Sequence, residues 1–264
     1  MNIFLRELKA NLKSLIIWGI IVVIFVTIGM AKFSAYVDNP EMLAMLNDLP
    51  PAALAVLNMQ AFNLTTITGF FGVMFTYFSL ILSIAAAMWG SDIISKEERD
   101  KTVEFSLTLP VTRGRLVTGK TLAALVNCIG LLLITWIVSL VNAAQYHPDA
   151  AFYNFLRLCM LALFIMQLTF LAMGVFLGCS MKKYKLASSV ALSVLLGTYF
   201  LSIISEINKN LDFLKYFSPF RYFDPASLLH NDRINMTFVG LSLGIILVSM
   251  VGAYLTYSKR DLYI

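Results

Sequence analysis

Long apolar runs alternate with shorter polar segments along the whole chain of 264 residues. Six of these runs have roughly the twenty residues that a helix needs to cross the hydrocarbon core of a bilayer. They do not alternate between polar and apolar positions, as the strands of a transmembrane barrel do. The pattern therefore predicts an all-α fold, a single polytopic membrane domain that covers residues 1–264. The predicted spans are about 14–31, 67–89, 121–144, 153–179, 186–205 and 237–257.

The first 13 residues are amphipathic with the period of a helix. Apolar side chains fall on one side and three bases fall on the other. We therefore expect an N-terminal interfacial helix that leads into the first span, which would be an uncleaved anchor rather than a signal peptide. The apolar residues are Phe4, Leu5, Leu8 and Leu12, and the bases are Arg6, Lys9 and Lys13.

Residues 90–120 form the longest strongly charged segment of the chain. They contain six of the 20 Lys and Arg residues. Of those 20, fourteen fall on the side that carries this loop and both termini, and six fall on the other side. The positive-inside rule then predicts that the termini and the 90–120 loop are cytoplasmic and that the loops 32–66 and 206–236 are outside. We expect a multi-pass protein of a bacterial or archaeal plasma membrane.

Composition excludes several classes of protein. Only 13% of the residues are charged, against about 25% in soluble domains, so there is too little polar sequence for a separate soluble catalytic domain. The basic pI of about 9.1 is explained by topology and anionic lipid, without nucleic acid. The cysteines Cys128, Cys159 and Cys179 lie in or beside apolar runs with no CxxC pattern, which predicts neither disulfides nor a metal site.

The predicted spans contain almost no ionisable residues in their interiors, since Arg157 and Glu206 lie near span ends. Proton-coupled and ion-coupled transporters place such groups at membrane depth. Any work that this protein does is therefore expected to take its energy from elsewhere. The main polar groups left in the spans are Asn127, Asn142 and Gln167, for which hydrogen bonds between helices are favoured over substrate contact.

One apparent enzymatic motif, G-x-S-x-G at Gly240–Gly244, lies inside an apolar run. A nucleophile elbow requires a turn from a strand to a helix, and the two histidines, His147 and His230, fall in predicted loops. We therefore do not expect an enzyme. The spacing instead predicts small-residue faces for close helix packing, within one protomer or between two. These faces are Gly174 with Gly178 and Gly240 with Gly244.

The middle of the charged loop predicts a short separate helix. Thr102 can cap it, Glu104 lies in its first turn and Pro110 ends it; Thr112 can then cap the next helix. An apolar patch with a charged rim suits docking onto a soluble partner, but spacing alone favours equally a solvated loop on the lipid surface. The apolar side chains are Val103, Phe105, Leu107 and Leu109.

This loop resembles the first cytoplasmic loop of type-2, exporter-type permeases of ATP-binding-cassette (ABC) transporters. The residues that match the motif of that family are Glu97, Thr102, Glu104, Pro110, Val111, Thr112, Arg113 and, slightly offset, Lys120. Lys101 stands where the family usually has glycine, and Phe105 stands where it often has leucine. The aromatic segment 217–225 is also similar to the segment between the last two spans of such permeases.

The resemblance implies a permease subunit of an ABC exporter whose coupling helix, Thr102–Leu109, docks with Glu97, Pro110 and Arg113 onto a cytosolic ATPase. The chain contains no Walker A pattern, so ATP and Mg²⁺ would bind the ATPase and no cofactor is expected in this chain. A transporter of this family needs two permease halves, and this chain would provide one half with six spans. The resemblance therefore implies a dimer, most simply a homodimer. The alternative is a membrane sensor or immunity subunit that does not transport and uses the same loop to bind a soluble partner.

The aromatic outer segment has two interpretations. Its residues alone indicate an aromatic belt at the membrane interface, whereas the resemblance implies an outer gate. The candidate gate residues are Phe217, Pro219, Phe220, Tyr222 and Phe223. The substrate is not identified, although an apolar pathway suits a hydrophobic or peptide molecule.

Overall fold

The computed structural model describes residues 3–37, 62–99, 112–181 and 184–259. Within these ranges it contains eight α-helices and no strand, so the predicted all-α fold is confirmed. The helices are α1 (Ile3–Ala31), α2 (Ile67–Arg99), α3 (Arg113–Ala144), α4 (Ala150–Ser180), α5 (Tyr184–Ile207), α6 (Pro219–Tyr222), α7 (Pro225–Asn231) and α8 (Met236–Lys259). Short 3₁₀ helices follow α1 at Lys32–Ala35 and α5 at Lys209–Phe217.

Six of these helices, α1 to α5 and α8, are long and apolar enough to cross a membrane, as predicted. They alternate in direction, so α1, α3 and α5 begin at the end of the bundle where α2, α4 and α8 finish. We call this end the basic end, because it carries the bases of residues 6–13, 113–120 and 259. The predicted coupling helix, Thr102–Leu109, and Pro110 lie outside the described residues, as does most of the loop 32–66.

The N-terminal segment is helical and continues directly into the first span. α1 is one continuous helix of 29 residues, because no proline or glycine interrupts it before Gly19. The predicted apolar side faces away from the protein, as a side that contacts lipid would: Leu5 and Leu12 are each 52% exposed, whereas Glu7 is 5% exposed. An ionic partner on α3 explains why the acid, rather than the leucines, faces the protein.

α2 and α4 form the centre of the bundle. About two thirds of each apolar window is buried, against 17% for α5 and for α8. Their backbones nearly touch: a Cβ atom at Gly174 would lie 2.5 Å from the carbonyl oxygen of Ala87, and one at Gly178 would lie 2.7 Å from that of Ser91. Glycine is therefore required for this close approach.

The second predicted small-residue face has a different setting. A Cβ atom at Gly240 or at Gly244 would meet nothing within 4 Å, so this face of α8 has no neighbour among the described residues. Packing of Gly240 and Gly244 against a second protomer stays a prediction.

The three polar residues of the spans do not behave alike. The Asn142 amide donates to Thr27 Oγ1 on α1 at 3.4 Å and to the Val138 carbonyl oxygen at 2.8 Å. Asn127 and Gln167 are fully buried, and neither amide group has a hydrogen-bond partner among the residues that the structure describes. The expectation of hydrogen bonds between helices was therefore wrong for these two.

Candidate functional site: polar contacts at the basic end

α2 and α3 flank the segment 100–111, which contains the predicted coupling helix. Thr112 starts α3 as predicted, because its side-chain oxygen accepts from the backbone N–H of Arg115 at 3.3 Å. A side chain that caps a helix in this way fixes the residue at which the helix begins. The start of α3, directly after residues 100–111, is thus determined by the cap at Thr112.

Arg113 connects the start of α3 to the end of α8. Its Nη1 donates to the carbonyl oxygens of Tyr257 and Ser258, each at 3.3 Å. These carbonyl groups belong to the last turn of α8 and carry the negative end of its dipole, so a guanidinium group stabilises them. One turn further along α3, Thr118 Oγ1 lies 2.7 Å from the Tyr254 hydroxyl. α3 and α8 are therefore joined by two sets of polar contacts.

A buried ion pair connects α3 to α1. The Lys120 ammonium lies 3.1 Å from Glu7 Oε1, Lys120 is fully buried and Glu7 is 5% exposed. Arg6 Nη2 approaches the same carboxylate oxygen at 3.4 Å. Removing one partner of a buried pair typically costs about 3–5 kcal/mol, since the other charge is left without compensation.

α2 makes corresponding contacts on its own side. Trp89 Nε1 donates to Ser14 Oγ on α1 at 2.9 Å. Ser188 Oγ on α5 donates to Asp92 Oδ1 at 2.9 Å and lies 3.1 Å from Ser91 Oγ. The backbone of Ser91 is also a point at which α4 approaches closely, through Gly178.

We refer to these interactions together as the basic-end contacts. They link the two helices that flank residues 100–111 to each of the other four spans: α1, α4, α5 and α8. A displacement of α2 or α3 at this end therefore acts on the whole bundle. Of the predicted site residues, Arg113 belongs to these contacts, and Glu97 lies in α2 two residues before its end.

Sequence reasoning missed most of this site. The charge pattern groups Lys120 with the bases of the 90–120 loop, yet its side chain is fully buried. The signal that could have found it is a lone acid, Glu7, on the first helix, which needs a partner if that helix packs against the bundle. Trp89, Ser91 and Asp92 form a small polar group at the end of an apolar run, and this also marks a contact layer.

The predicted gate residues lie at the opposite end, and all of them except Phe217 belong to what we call the short-helix segment, residues 218–231. Pro219 begins α6 and is buried. The Phe220 ring packs against Tyr199 on α5 and Phe170 on α4, with centroid distances of 5.3 and 5.1 Å. The structure therefore brings part of the predicted set onto the spans.

The remaining gate residues divide by exposure. Tyr222 stacks on Phe238 of α8 with ring centroids 5.2 Å apart and donates its hydroxyl to the Tyr216 carbonyl oxygen. Burial raises the pKa of Tyr222, so its hydroxyl keeps the proton that it donates. Phe223 is 1% exposed, whereas Phe217 is 65% exposed. Only Phe217 of the five thus faces the surroundings as a belt residue would.

Polar contacts attach the short-helix segment to the end of α5. Arg221 Nη1 lies 3.4 Å from both Glu206 Oε2 and Asp224 Oδ1, and Ser218 Oγ donates to the Thr198 carbonyl oxygen at 2.7 Å. A cavity of about 40 Å³, lined by both polar and apolar side chains, remains between this cluster and α2. That volume has room for ordered water.

Comparison with known proteins assigns this architecture. A family model described as ABC-2 family transporter protein matches residues 1–262, which is nearly the entire chain. No curated protein sequence matches the chain.

Proposed function

The chain belongs to the ABC-2 family of transporter proteins, a family of membrane permeases that act with an ATPase, and on this basis we propose that it is the permease of an ABC exporter. It moves a hydrophobic or peptide substrate across the plasma membrane, driven by ATP hydrolysis on a separate cytosolic subunit. Two copies of the chain form the complete pathway. The basic end, with both termini, faces the cytoplasm.

The basic-end contacts are the observation that carries this proposal. An ATPase that binds residues 100–111 would push on α2 and α3, which are 33 and 32 residues long and, at a rise of about 1.5 Å per residue, each roughly 50 Å in length. Lys120 and Arg113 pass the movement to α1 and α8, and Trp89 and Asp92 pass it to α1 and α5. No proton-coupled or ion-coupled energy source is needed.

The docking surface remains a prediction from the sequence. Thr102–Leu109 would enter a cleft on the ATPase, with Val103 and Leu107 on one side of the short helix. ATP and Mg²⁺ would bind to the ATPase alone. The short-helix segment would serve as the outer gate, because Phe220 and Tyr222 contact α4, α5 and α8 and would sense a change in their spacing.

Association with an ATPase provides the first test. The full chain is co-expressed with candidate ABC ATPases from the same genome, and the complex is purified through a tag on the ATPase. We expect Val103→Asp with Leu107→Asp to abolish association, because two carboxylates would replace the apolar contact. The control, Val103→Leu with Leu107→Met, keeps the patch apolar and should retain binding. Equal recovery of both variants would refute the docking assignment.

A second measurement distinguishes a transporter from a complex that binds the ATPase but does not transport. ATP hydrolysis is measured in vesicles that contain the wild-type complex, with a panel of hydrophobic and peptide compounds. Stimulation by one of them, together with its ATP-dependent movement across the vesicle membrane, is the result we expect. A stable complex that no compound stimulates would favour a sensor or immunity subunit.

A further inference from the structure

A groove of about 560 Å³ lies between α1 and α2, away from the basic end. Its size falls within the range of about 300–1,000 Å³ that is usual for ligand sites. The α1 wall is a single helical stripe with steps of three or four residues, and α2 provides a matching stripe. The residues of this wall are Ile21, Ile24, Phe25, Ile28 and Gly29 of α1, and Lys32 of the 3₁₀ helix that follows it.

The length of the groove corresponds to one leaflet of a bilayer. Lys13 and Lys32 enclose the apolar stretch of the first span, and their 19-residue separation corresponds to about 28 Å along a helix, close to the thickness of the hydrocarbon core. From Ile21 to Lys32 the corresponding distance is about 16 Å. The groove therefore extends from the membrane boundary at Lys32 to about the bilayer midplane at Ile21.

The chemistry of the groove changes along this length. Its inner part is apolar, and Ile24 and Ile28 are 53% and 54% exposed. At the boundary end, the lining includes the Lys32 side chain and Tyr36. Lys32 is exposed and makes no ion pair with any residue that the structure describes. One end of the groove thus offers a positive charge that is not paired within the described ranges, and the rest offers an apolar surface.

We propose that this groove binds one anionic phospholipid of the surrounding bilayer, with an acyl chain along Ile21–Gly29 and its phosphate at Lys32. A base at the boundary attracts an anionic head group by about 1 kcal/mol, and the apolar stripe accepts a chain that reaches the midplane. A second copy of the chain fits less well, since it would have to supply an acid for Lys32 or leave an ammonium group in an apolar contact. This site does not depend on the proposed transport function.

Photo-crosslinking tests the site on the full-length protein. The protein is reconstituted into phosphatidylcholine vesicles that contain a small fraction of phosphatidylglycerol with a photoreactive acyl chain, and adducts are mapped by mass spectrometry. We expect adducts concentrated on the peptides of the groove. Ile28→Trp fills the groove and should reduce them several-fold, whereas Ile17→Trp, at a residue that is 59% exposed on the same helix but outside the groove, should not. Ile24→Trp provides a second filling variant if Ile28→Trp folds poorly.

The head group is tested separately. Lys32→Gln should reduce the preference for the phosphatidylglycerol probe over an equivalent phosphatidylcholine probe about fivefold, and Lys13→Gln, at the other boundary, should leave the preference at the groove unchanged. Adducts spread evenly around the exposed faces, or equal labelling by both probes, would overturn the proposal. A disulfide between two Ile28→Cys chains would also overturn it, because it would place a second copy in the groove.

Discussion

The basic-end contacts and the contacts of the short-helix segment join residues that are very differently spaced along the chain. At the basic end, Trp89 bonds to Ser14 across 75 residues and Lys120 bonds to Glu7 across 113. In the short-helix segment, the hydroxyl of Ser218 reaches back 20 residues and that of Tyr222 reaches back six. One set of contacts fixes distant helices to each other, and the other shapes a local unit.

This difference indicates how each region would respond to a force. Charged and polar contacts between distant helices cannot be rearranged without leaving a buried group unpaired, so the basic end is expected to move as one body. The short-helix segment is held to the spans by ring contacts and by the partly exposed contacts of Arg221 and Ser218, and aromatic contacts tolerate sliding better than a buried ion pair does. Substitutions at the two places should therefore differ in both size and kind of effect.

The largest effect is expected at the buried ion pair. Lys120→Met leaves the Glu7 carboxylate buried and should lower the free energy of unfolding by about 3 kcal/mol, the lower end of the usual range because Arg6 remains nearby. Thermal unfolding of the purified protein in detergent measures the loss. Glu7→Gln combined with Lys120→Met should recover most of it. The exposed Lys13→Met is the control, and equal behaviour of the Lys120 and Lys13 variants would show that the pair contributes nothing.

The next effect concerns the two glycine faces. Gly174→Ala would place a Cβ atom 2.5 Å from a carbonyl oxygen of α2 and should destabilise the bundle by about 1–3 kcal/mol. Gly240→Ala adds a methyl group in open space, so it should be neutral or stabilise α8 by up to about 1 kcal/mol. Both are measured by unfolding in detergent. Loss of dimer without loss of stability in Gly240→Ala would support the predicted packing between protomers, and a loss of stability there would contradict this assignment.

A smaller effect separates stability from coupling. Thr112 caps α3 at the basic end, and Asp149 caps α4 at the opposite end by accepting from the Phe152 N–H at 2.9 Å. Replacing either by alanine should cost about 1 kcal/mol. Only Thr112→Ala should also reduce the ATPase stimulation of the reconstituted complex, because it loosens the helix that leaves the docking segment. If both variants reduce stimulation equally, the basic end has no special role.

The sequence was sufficient to predict an all-α fold with six helices long and apolar enough to cross a membrane, because apolar runs of membrane length have few alternative structures. It also predicted the Thr112 cap, which depends on neighbours along the chain. It did not predict that Lys120 is buried or that Asn127 has no hydrogen-bond partner in the described part of the chain, because both facts depend on which helices become neighbours. Helix periodicity grouped Leu5 and Leu12 on one apolar side, but for the same reason it did not predict that Glu7 is buried against α3.

The smallest effect should come from the hydroxyl of Tyr222. Tyr222→Phe removes its bond to the Tyr216 carbonyl oxygen but keeps the stack on Phe238, so the loss should be about 0.5 kcal/mol, the low end for a hydrogen bond, since Tyr216 is half exposed and water can replace the donor. Tyr222→Leu also removes the stack and should cost about 1 kcal/mol more.

Because burial raises the pKa of Tyr222, its hydroxyl stays protonated to higher pH than that of an exposed tyrosine. The difference in unfolding free energy between wild type and Tyr222→Phe should therefore be constant from neutral to mildly alkaline pH. A difference that disappears within that range would show that the hydroxyl is not buried. A Tyr222→Phe variant as unstable as Lys120→Met would show that the short-helix segment is as rigidly held as the basic end.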